Sequence, residues 1–227
     1  MSKILPTRCD DSKVAMAMDA TSYPHCVWAD GKSIKYSRFY GEEWRLVAGT
    51  AVVTTSQNNV SVSKHCIGFD DYGNCFFAFM DGSDLKLTRW SGITWVTDTV
   101  WAGVQEQDPL AWSVAWNGFP IVVVITSSSG TKTIWATDKS SGSWGTPNGL
   151  PIPPQDDGQV ELKVAKAGDW AYMFWNGREI SSGTAWIGHA AWSFVSEEWK
   201  ASPTKKIAMS AFDGEIASID FTTSREV

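Results

Sequence analysis

Short runs of apolar residues alternate with polar turns along nearly the whole chain. At its start, β-branched and aromatic residues cluster at 14–18, 25–29, 34–39 and 44–47, and the turns between them read DATSY, DGKS and YGEE. Turns rich in Asp-Gly, Asn-Gly and Ser-Gly supply the positive φ angles that tight hairpins need. No window has a convincing helical period. The pattern therefore predicts short strands joined as antiparallel hairpins.

A turn that ends in tryptophan returns four times, at Trp44, Trp95, Trp144 and Trp199. The successive spacings are 51, 49 and 55 residues. A period near 50 residues is typical of repeat architectures. Because each period contains about four short strands, it predicts the four-stranded antiparallel blade of a β-propeller. We expect these tryptophans to pack at the seams between neighbouring blades, and a role in ligand binding is the alternative.

The repeats predict an all-β fold with a single domain over 1–227, a five-bladed β-propeller. The four complete blades are expected at approximately 13–50, 60–100, 109–148 and 159–203, and the fifth is expected to combine 205–227 with 1–8. Because an open edge strand is a liability, an N-terminal strand should close the last blade. The alternative is a fragment of a larger propeller.

Charge and composition narrow the possible partners and locations. The net charge of −6 argues against a nucleic-acid partner, which needs a positive surface. No stretch approaches 18 apolar residues, so we predict no membrane insertion. The start, MSKILPTRCDDSK, lacks the apolar core of a secretory signal peptide. We therefore expect a protein made in the cytoplasm that ends in a virion or is released by a non-classical route.

Cysteine and histidine give no sign of a metal or redox site. The chain has four cysteines, at Cys9, Cys26, Cys66 and Cys75. They form no CxxC pair and match no zinc spacing, so buried free thiols are predicted. The three histidines recur at no spacing typical of a triad or a metal site; they are His25, His65 and His189. We predict no cofactor and no required metal.

Two segments carry a resemblance to known repeats, PHCVWADGKSIKYSRFYGEEW and GNCFFAFMDGSDLKLTRWSGITW. Each has an aromatic strand, an Asp-Gly turn, a strand with Lys and Arg, and a final Trp. This repeat resembles propeller repeats of bacterial, phage and lectin sequences, and the size and blade number are similar to those of tachylectin-like lectins. The resemblance covers about four-fifths of the chain and is strongest in the first two repeats. It implies the propeller fold and says little about the ligand.

Two arginines stand at the same place in the first two repeats. Arg38 and Arg89 each lie six residues before the turn tryptophan. Four aromatic residues are expected beside them, Trp28, Phe79, Trp90 and Trp135. A pocket of this composition between blades suits a sugar, because aromatic faces stack on its C–H groups while Arg bonds its hydroxyls. The alternative is that each arginine ties two blades together by a cation–π contact.

Acidic and amide residues at the turns have a structural explanation. One group precedes Gly, namely Asp30, Asp81 and Asn176, and another follows the first strand of each repeat, namely Asp19, Asp71, Asn117 and Asp213. Both groups are expected to begin tight turns. A glycosidase needs two carboxyl groups about 5–5.5 Å apart for retention or roughly 6.5–9.5 Å apart for inversion. The turn explanation leaves such a pair without support from the sequence.

These observations predict a non-catalytic binding module, and its most concrete form is a lectin-like protein that recognises a glycan or glycoconjugate in pockets between blades. Several shallow pockets make weak binding useful through avidity. One alternative is a phage or viral virion protein, a head or tail decoration or a receptor-binding knob, with other virion proteins as partners. The other is a glycoside hydrolase or sialidase-like enzyme, which needs an axial set of carboxylates or an arginine triad.

Overall fold

The described part of the chain consists of β-strands and the turns between them. A computed structural model describes residues 14–46, 51–55, 60–62, 66–70, 72–104, 110–116, 119–128, 131–139, 142–151, 162–167, 169–178, 185–196, 198–199 and 207–209. These residues form 19 strands in four antiparallel sheets, and every regular element among them is a strand. The all-β class and the antiparallel blades are confirmed, and a fifth blade stays a prediction.

The first sheet, blade one, is a four-stranded meander. Its strands are β1 (Val14–Met18), β2 (Pro24–Asp30), β3 (Ser33–Tyr40) and β4 (Glu43–Leu46), and β5 (Val53–Thr54) pairs with the beginning of β3. Each predicted strand agrees with the observed one to within a residue at either end. The agreement follows from the two-residue turns at 31–32 and 41–42 and the five-residue turn at 19–23, which fix where each strand must stop.

The second sheet, blade two, repeats this arrangement with an interrupted inner edge. Two short strands, β6 (Val60–Ser61) and β7 (Ile67–Phe69), both pair with β8 (Cys75–Asp81), which is followed by β9 (Asp84–Trp90) and β10 (Trp95–Trp101). Every residue of β8 is buried. A strand buried on both faces needs a continuous apolar run, and CFFAFM supplies it.

Blades three and four complete the described sheets. Blade three contains β11 (Leu110–Trp116), β12 (Phe119–Ser128), β13 (Thr131–Asp138) and β14 (Asn148–Pro151). Blade four contains β15 (Leu162–Ala167), β16 (Trp170–Arg178), β17 (Ala185–Ser193), β18 (Glu198–Trp199) and β19 (Ile207–Met209). The sequence analysis assigns 207–209 to a fifth blade, whereas β19 pairs with β17 of blade four. The remainder of the expected fifth blade, 210–227 with 1–8, lies outside the described residues.

Blades one and two pack face to face through aromatic side chains. Residues two apart in a strand share a face of the sheet, so Tyr36 and Arg38 point from β3 toward the same neighbour. That neighbour is blade two, because the rings of Tyr36 and Trp95 are 5.0 Å apart and those of His25 and Phe69 are 4.6 Å apart. The larger core cluster extends from this seam through blade two to Val122 and Val124 of blade three.

Two of the four turn tryptophans make a contact across a seam, as expected. Trp95 contacts Tyr36 of blade one, and Trp199 donates from Nε1 to the backbone oxygen of Asn148 in blade three, at 3.1 Å. Trp144 packs against the larger core cluster, which includes Val122 and Val124 of its own blade. The ring contact of Trp44 within the described residues is with Phe39 of its own blade, at 5.5 Å. Packing between blades therefore accounts for Trp95 and Trp199.

The cysteines of the described residues are buried free thiols, at Cys26, Cys66 and Cys75. This confirms the prediction for these three, and Cys9 lies outside the described residues. Burial raises the pKa of Cys26 to about 11, so its thiol stays protonated. Over the same described residues, the structure contains no helix that is long and apolar enough to cross a membrane.

Candidate functional site

Each blade has two ends with different turns. In blade one, the β1–β2 turn and the β3–β4 turn lie at one end, which we call the Trp-turn end. The β2–β3 turn, with Gly31 at φ 62°, lies at the other, which we call the Asp-Gly end. Blades one and two keep the same frame, 51 residues apart, so their side chains can be compared position by position at both ends.

A buried carboxylate organises the Trp-turn end of blade one. Asp19 Oδ1 accepts hydrogen bonds from the backbone N and Oγ1 of Thr21, at 2.9 and 2.7 Å, and from the backbone N of Tyr23, at 2.9 Å. Asp19 Oδ2 accepts from His25 Nε2 at 3.1 Å and from Arg38 Nη2 at 2.7 Å. The side chain is only 8% exposed. Both oxygens are thus fully used inside the protein.

These contacts set the charge states of the cluster. Burial alone raises the pKa of Asp19, but the hydrogen bonds from Thr21, Tyr23 and His25 outweigh it and hold the pKa well below its usual range. Burial lowers the pKa of His25, and Arg38 adds to this while Asp19 opposes it. A carboxylate can only accept, so neutral His25 carries its proton on Nε2, and Nδ1 accepts from the Tyr36 hydroxyl.

Arg38 is held among tyrosines at the surface. Its guanidinium carbon lies 4.7 Å from the ring centre of Tyr40 and 5.3 Å from that of Tyr23, and its Nη1 donates to the Tyr40 hydroxyl at 3.1 Å. The guanidinium carbon of Arg45 also lies near Tyr40, at 5.7 Å from its ring centre. Tyr23 is 38% exposed and Tyr40 41% exposed. The cation–π alternative is thus correct in kind, but its partners are tyrosines of the same blade.

The turn that carries Asp19 is strained. Ser22 has φ 63°, and it is the one non-glycine residue with positive φ in the described part of the chain. Blade two has Gly73 at the same place, with φ 80°. A non-glycine residue in this region costs about 1–3 kcal/mol, and such strain concentrates at functional sites. The Trp-turn end of blade one therefore departs from the relaxed turn of its repeat.

The Asp-Gly ends of blades one and two differ in how deeply the turn aspartate is buried. Lys35 pairs with Asp30 in blade one, and Lys86 pairs with Asp81 in blade two. The Asp30 side chain is 54% exposed, whereas that of Asp81 is 7% exposed. Asp81 Oδ1 is buried and has no hydrogen-bond partner among the described residues. Unlike Asp19, this carboxylate does not use its oxygens to stabilise its turn.

A second carboxylate faces Asp81 across the hairpin. Asp84 pairs directly with Asp81 in the register of β8 and β9, so both side chains lie on one face. Asp84 is half-buried, and its Oδ1 accepts from the backbone N of Gly103 at 3.0 Å. Blade one has Ser33 at the corresponding position. Two carboxylates and Lys86 thus meet only in the second of these two blades.

The six residues predicted to bind a ligand do not form one pocket. Arg38 points from blade one into the first seam, and Phe79 and Trp90 point into it from blade two. The register separates them, because Arg38 lies opposite His25 at the Trp-turn end and Phe79 lies opposite Lys86 toward the Asp-Gly end. Phe79 is 1% exposed. The ligand-binding assignment of these residues stays a prediction.

The other three predicted residues lie elsewhere. Trp28 is on the face of blade one turned away from blade two and is 5% exposed. Arg89 is exposed on the far face of blade two and has no ion pair within the described residues. Trp135 meets Trp101 in the second seam, with ring centres 5.1 Å apart, and donates to Thr126 Oγ1 at 2.7 Å.

Sequence reasoning missed the residues that surround Arg38 and Asp81. Tyr23, Tyr36 and Tyr40 were not singled out, and Asp84 was not considered. A usable signal exists, because each of them differs in type from its counterpart 51 residues away. An unrepeated polar or aromatic side chain beside a repeated one therefore marks where a blade differs from its neighbour.

The turn explanation of the acids holds for only part of the set. Asp19 accepts from its own turn, and Asp70 of blade two does the same, with 2.9 and 2.7 Å bonds from the backbone N of Tyr72 and Asn74. Asp70 therefore takes the place that the sequence analysis gives to Asp71. Asp71, Asn117 and Asp213 lie outside the described residues. No group of three or more His, Cys, Asp or Glu side chains is arranged to hold a metal ion among the described residues.

Comparison with solved structures gives matches at low identity. The chain is 12% identical to the GH93 α-L-arabinofuranosidase of Fusarium graminearum with arabinobiose, with a TM-score of 0.47 over 89% of this chain and 67% of that chain. It is 10% identical to an α-L-arabinofuranosidase of the same organism with an iminosugar inhibitor (TM-score 0.46, 88% and 70% covered). The catalytic domain of a GH62 α-L-arabinofuranosidase from Coprinopsis cinerea is 9% identical (TM-score 0.43, 84% and 66%).

No family model and no curated protein matches the chain. The predictions of a non-catalytic binding module and of no enzymatic activity are contradicted by the structural matches, since those three proteins are glycoside hydrolases. The matches give no support to a tachylectin-like or phage repeat family, or to virion partners.

Proposed function

We propose that the protein is a glycoside hydrolase whose two carboxylates are Asp81 and Asp84. The observation that carries the proposal is the buried Asp81 Oδ1, which has no partner among the described residues although its side chain is 7% exposed. A buried acceptor without a hydrogen bond costs about 1–3 kcal/mol. Such a group calls for an explanation, and a catalytic role is one of the few available.

The position of Asp84 supports a pair. Directly opposed residues of an antiparallel ladder have Cβ atoms about 4.5–5.5 Å apart, and Asp81 and Asp84 are so opposed. A retaining glycosidase needs carboxyl groups about 5–5.5 Å apart, and an inverting one roughly 6.5–9.5 Å. The Cβ spacing is not the separation of the carboxyl groups, so retention of configuration is the outcome that we test for this close pair.

The surroundings of Asp81 and Asp84 suit them to different catalytic roles. Asp81 is buried and paired with the Lys86 ammonium, which suits a nucleophile that must be ionised. It attacks the anomeric carbon, while half-buried Asp84 gives its proton to the glycosidic oxygen and the C–O bond breaks. Asp84 then takes a proton from water, and the resulting hydroxide displaces Asp81 from the anomeric carbon. Lys86 is a positioning residue that holds one oxygen of Asp81.

Hydrolysis is tested with purified protein and chromogenic glycosides. p-Nitrophenyl α-L-arabinofuranoside and arabinobiose are the first substrates, followed by a panel of plant and bacterial polysaccharides, with released sugar as the readout. Asp81→Asn and Asp84→Asn should each lower turnover by about 10²–10⁴-fold. Asp30→Asn is the matched control, because it changes the same turn position in blade one and should leave turnover unchanged.

Two results contradict the proposal. One is the absence of hydrolysis on the whole panel by the unsubstituted chain. The other is full turnover by folded Asp81→Asn or Asp84→Asn protein, with folding checked by circular dichroism and thermal denaturation. Proton NMR of the first-formed sugar tests the stereochemistry, and an inverted product would exclude the assignment of Asp81 as nucleophile.

A further inference from the structure

The Trp-turn end of blade one carries an exposed aromatic surface that the proposed reaction does not use. Tyr23 and Tyr40 are 38% and 41% exposed, with ring centres 6.2 Å apart and planes 35° from parallel. We call these two rings with Arg38 the tyrosine platform. We propose that the tyrosine platform is a binding site for an uncharged saccharide. The inference rests on the proposed function only in taking its ligand from the same chemical class.

The platform is rigid before any ligand arrives. Arg38 is fixed by Asp19 on one side and by the Tyr40 hydroxyl on the other. Asp19 in turn receives two backbone hydrogen bonds of its own turn, from Thr21 and Tyr23. A pre-organised site loses little conformational entropy on binding, which makes a small contact area useful. The strain at Ser22 is consistent with a turn shaped for such a purpose.

The platform has the two kinds of group that a sugar requires. Arg38 lies over part of both rings, and the exposed remainder of each ring offers a surface for the C–H side of a pyranose or furanose. Arg38 has five N–H donors, of which one is used by Asp19 and one by Tyr40. Its Nε is buried with no partner among the described residues. The Arg38 side chain is 26% exposed, so its remaining Nη donors can reach ligand hydroxyls.

The local charges select an uncharged ligand. Two cations, Arg38 and Arg45, are present, and each is already paired, with Asp19 and Glu43 respectively. Glu42 is exposed beside them. Three acids against two arginines give a small negative excess, which disfavours a uronate, sialate or sulfate. Neutral sugars have no such penalty.

Ligand binding is tested by saturation-transfer NMR and titration of the full chain. The neutral probes are methyl α-L-arabinofuranoside, methyl β-D-galactoside and N-acetylglucosamine, and the acidic probes are glucuronic acid and N-acetylneuraminic acid. At least one neutral probe should bind, and Tyr23→Ala and Tyr40→Ala should each weaken it by about tenfold. Tyr40→Phe keeps the ring and should retain more affinity than Tyr40→Ala.

Tyr72→Ala is the matched control, because Tyr72 is 84% exposed on the equivalent turn of blade two and has no arginine beside it among the recorded contacts. It should bind as the unsubstituted chain does. The proposal is overturned if no neutral probe binds at millimolar concentration, if Tyr23→Ala and Tyr40→Ala bind normally, or if the acidic probes bind better.

The same variants separate this proposal from the proposed hydrolase. Asp81→Asn should bind the neutral probe as the unsubstituted chain does, because Asp81 lies at the other end of its blade. Binding without any hydrolysis would remove the hydrolase and leave the platform. Hydrolysis together with normal binding by Tyr23→Ala and Tyr40→Ala would remove the platform and leave the hydrolase.

Discussion

Blades one and two share a backbone turn, at 19–23 in blade one and 70–74 in blade two, but different side chains surround it. In blade one, Asp19 N donates to the oxygen of Tyr23 at 3.0 Å, and in blade two Asp70 N donates to the oxygen of Asn74 at 3.0 Å. The carboxylate of Asp70 also receives the Asn74 side chain, at 2.9 Å, so this turn closes on itself. Asp19 likewise accepts from its own turn, and it also accepts from His25 in β2 and Arg38 in β3. The shared turn is structural, and the added contacts distinguish blade one.

Arg38 and Arg89 occupy equivalent positions in the two blades but have different neighbours. Arg38 has a carboxylate and two tyrosine rings within reach, whereas Arg89 is exposed and makes no ion pair in the described part of the chain. His25 is replaced by Phe76, which cannot bond to Asp70. Equal position in a repeat thus does not give equal function. The difference lies in the side chains that surround each arginine, and substitutions at matched positions of the two blades test this explanation.

The largest expected effect concerns the tryptophan that crosses the first seam. Trp95 packs on Tyr36, Phe77 and Trp90, so Trp95→Ala should lower the free energy of unfolding by about 3–5 kcal/mol. Trp44→Ala should cost about 1–2 kcal/mol, because its ring contact within the described residues is with Phe39 of its own blade. Urea denaturation of both variants measures the difference, and equal losses would contradict the assignment of Trp95 to the seam.

The sequence predicts the strands and turns that recur from blade to blade, and it does not predict the strand pairings that occur in one blade only. The spacing of the turn tryptophans and the Asp-Gly turns located the strands of blade one to within a residue, because hairpin chemistry is local. The inner edge of blade two was not predicted to be interrupted, and β19 was assigned to the wrong sheet. These features depend on pairing with distant strands, which local pattern does not encode.

The candidate sites were harder for the same physical reason. The sequence singled out Arg38 and Arg89 as a pair in register and placed Trp28, Phe79, Trp90 and Trp135 beside them, and this ligand-binding assignment stays a prediction. The register decides the actual partners, since it places Arg38 opposite His25 and leaves Trp28 opposite Lys35, on the other face. Burial of Asp81 depends on the blade packed against it, so no property of the peptide DGSD could reveal it.

The second prediction concerns the central carboxylate of the Trp-turn end. Asp19→Asn removes the charge that pairs with Arg38 and should lower the free energy of unfolding by about 3 kcal/mol, since breaking a buried pair leaves a poorly compensated charge. Asp70→Asn should cost about 1 kcal/mol, because no cation depends on Asp70 in the described residues. Equal costs, measured by urea denaturation, would show that both acids serve only their turns.

The third prediction is a pH dependence of stability that His25 of blade one should produce and its counterpart Phe76 in blade two cannot. The pKa of His25 is lowered in the folded protein, so the unfolded chain binds more protons below about pH 6.5. Stability from neutral His25 is present above that pH and is lost as the pH falls, with a slope of at most about 1.4 kcal/mol per pH unit. The stability that ionised Asp19 contributes is lost only as the pH falls below the unfolded pKa of Asp19, about 3.9.

The measurement is denaturation between pH 4.5 and 7.5, a range that spans the unfolded pKa of His25, about 6.5, and lies above that of Asp19. His25→Phe installs the residue that blade two has at Phe76, and it should remove the His25 part of the slope. Phe76→Leu is the control and should keep it. A slope that survives in His25→Phe would assign the pH dependence to another group.

The smallest effect concerns the strained turn residue. Ser22 has φ 63° where blade two has Gly73 at φ 80°, and no described atom lies within 4 Å of a Cβ placed on Gly73, so the turn itself accepts a side chain. Ser22→Gly should relieve the backbone strain but add flexibility to the unfolded chain, for a net gain of about 0.5–1 kcal/mol. Gly73→Ser should lose about as much. If Ser22→Gly is instead destabilising, the Ser22 side chain supports the turn. If it stabilises the fold while neutral-sugar binding weakens, the strain at Ser22 serves the tyrosine platform.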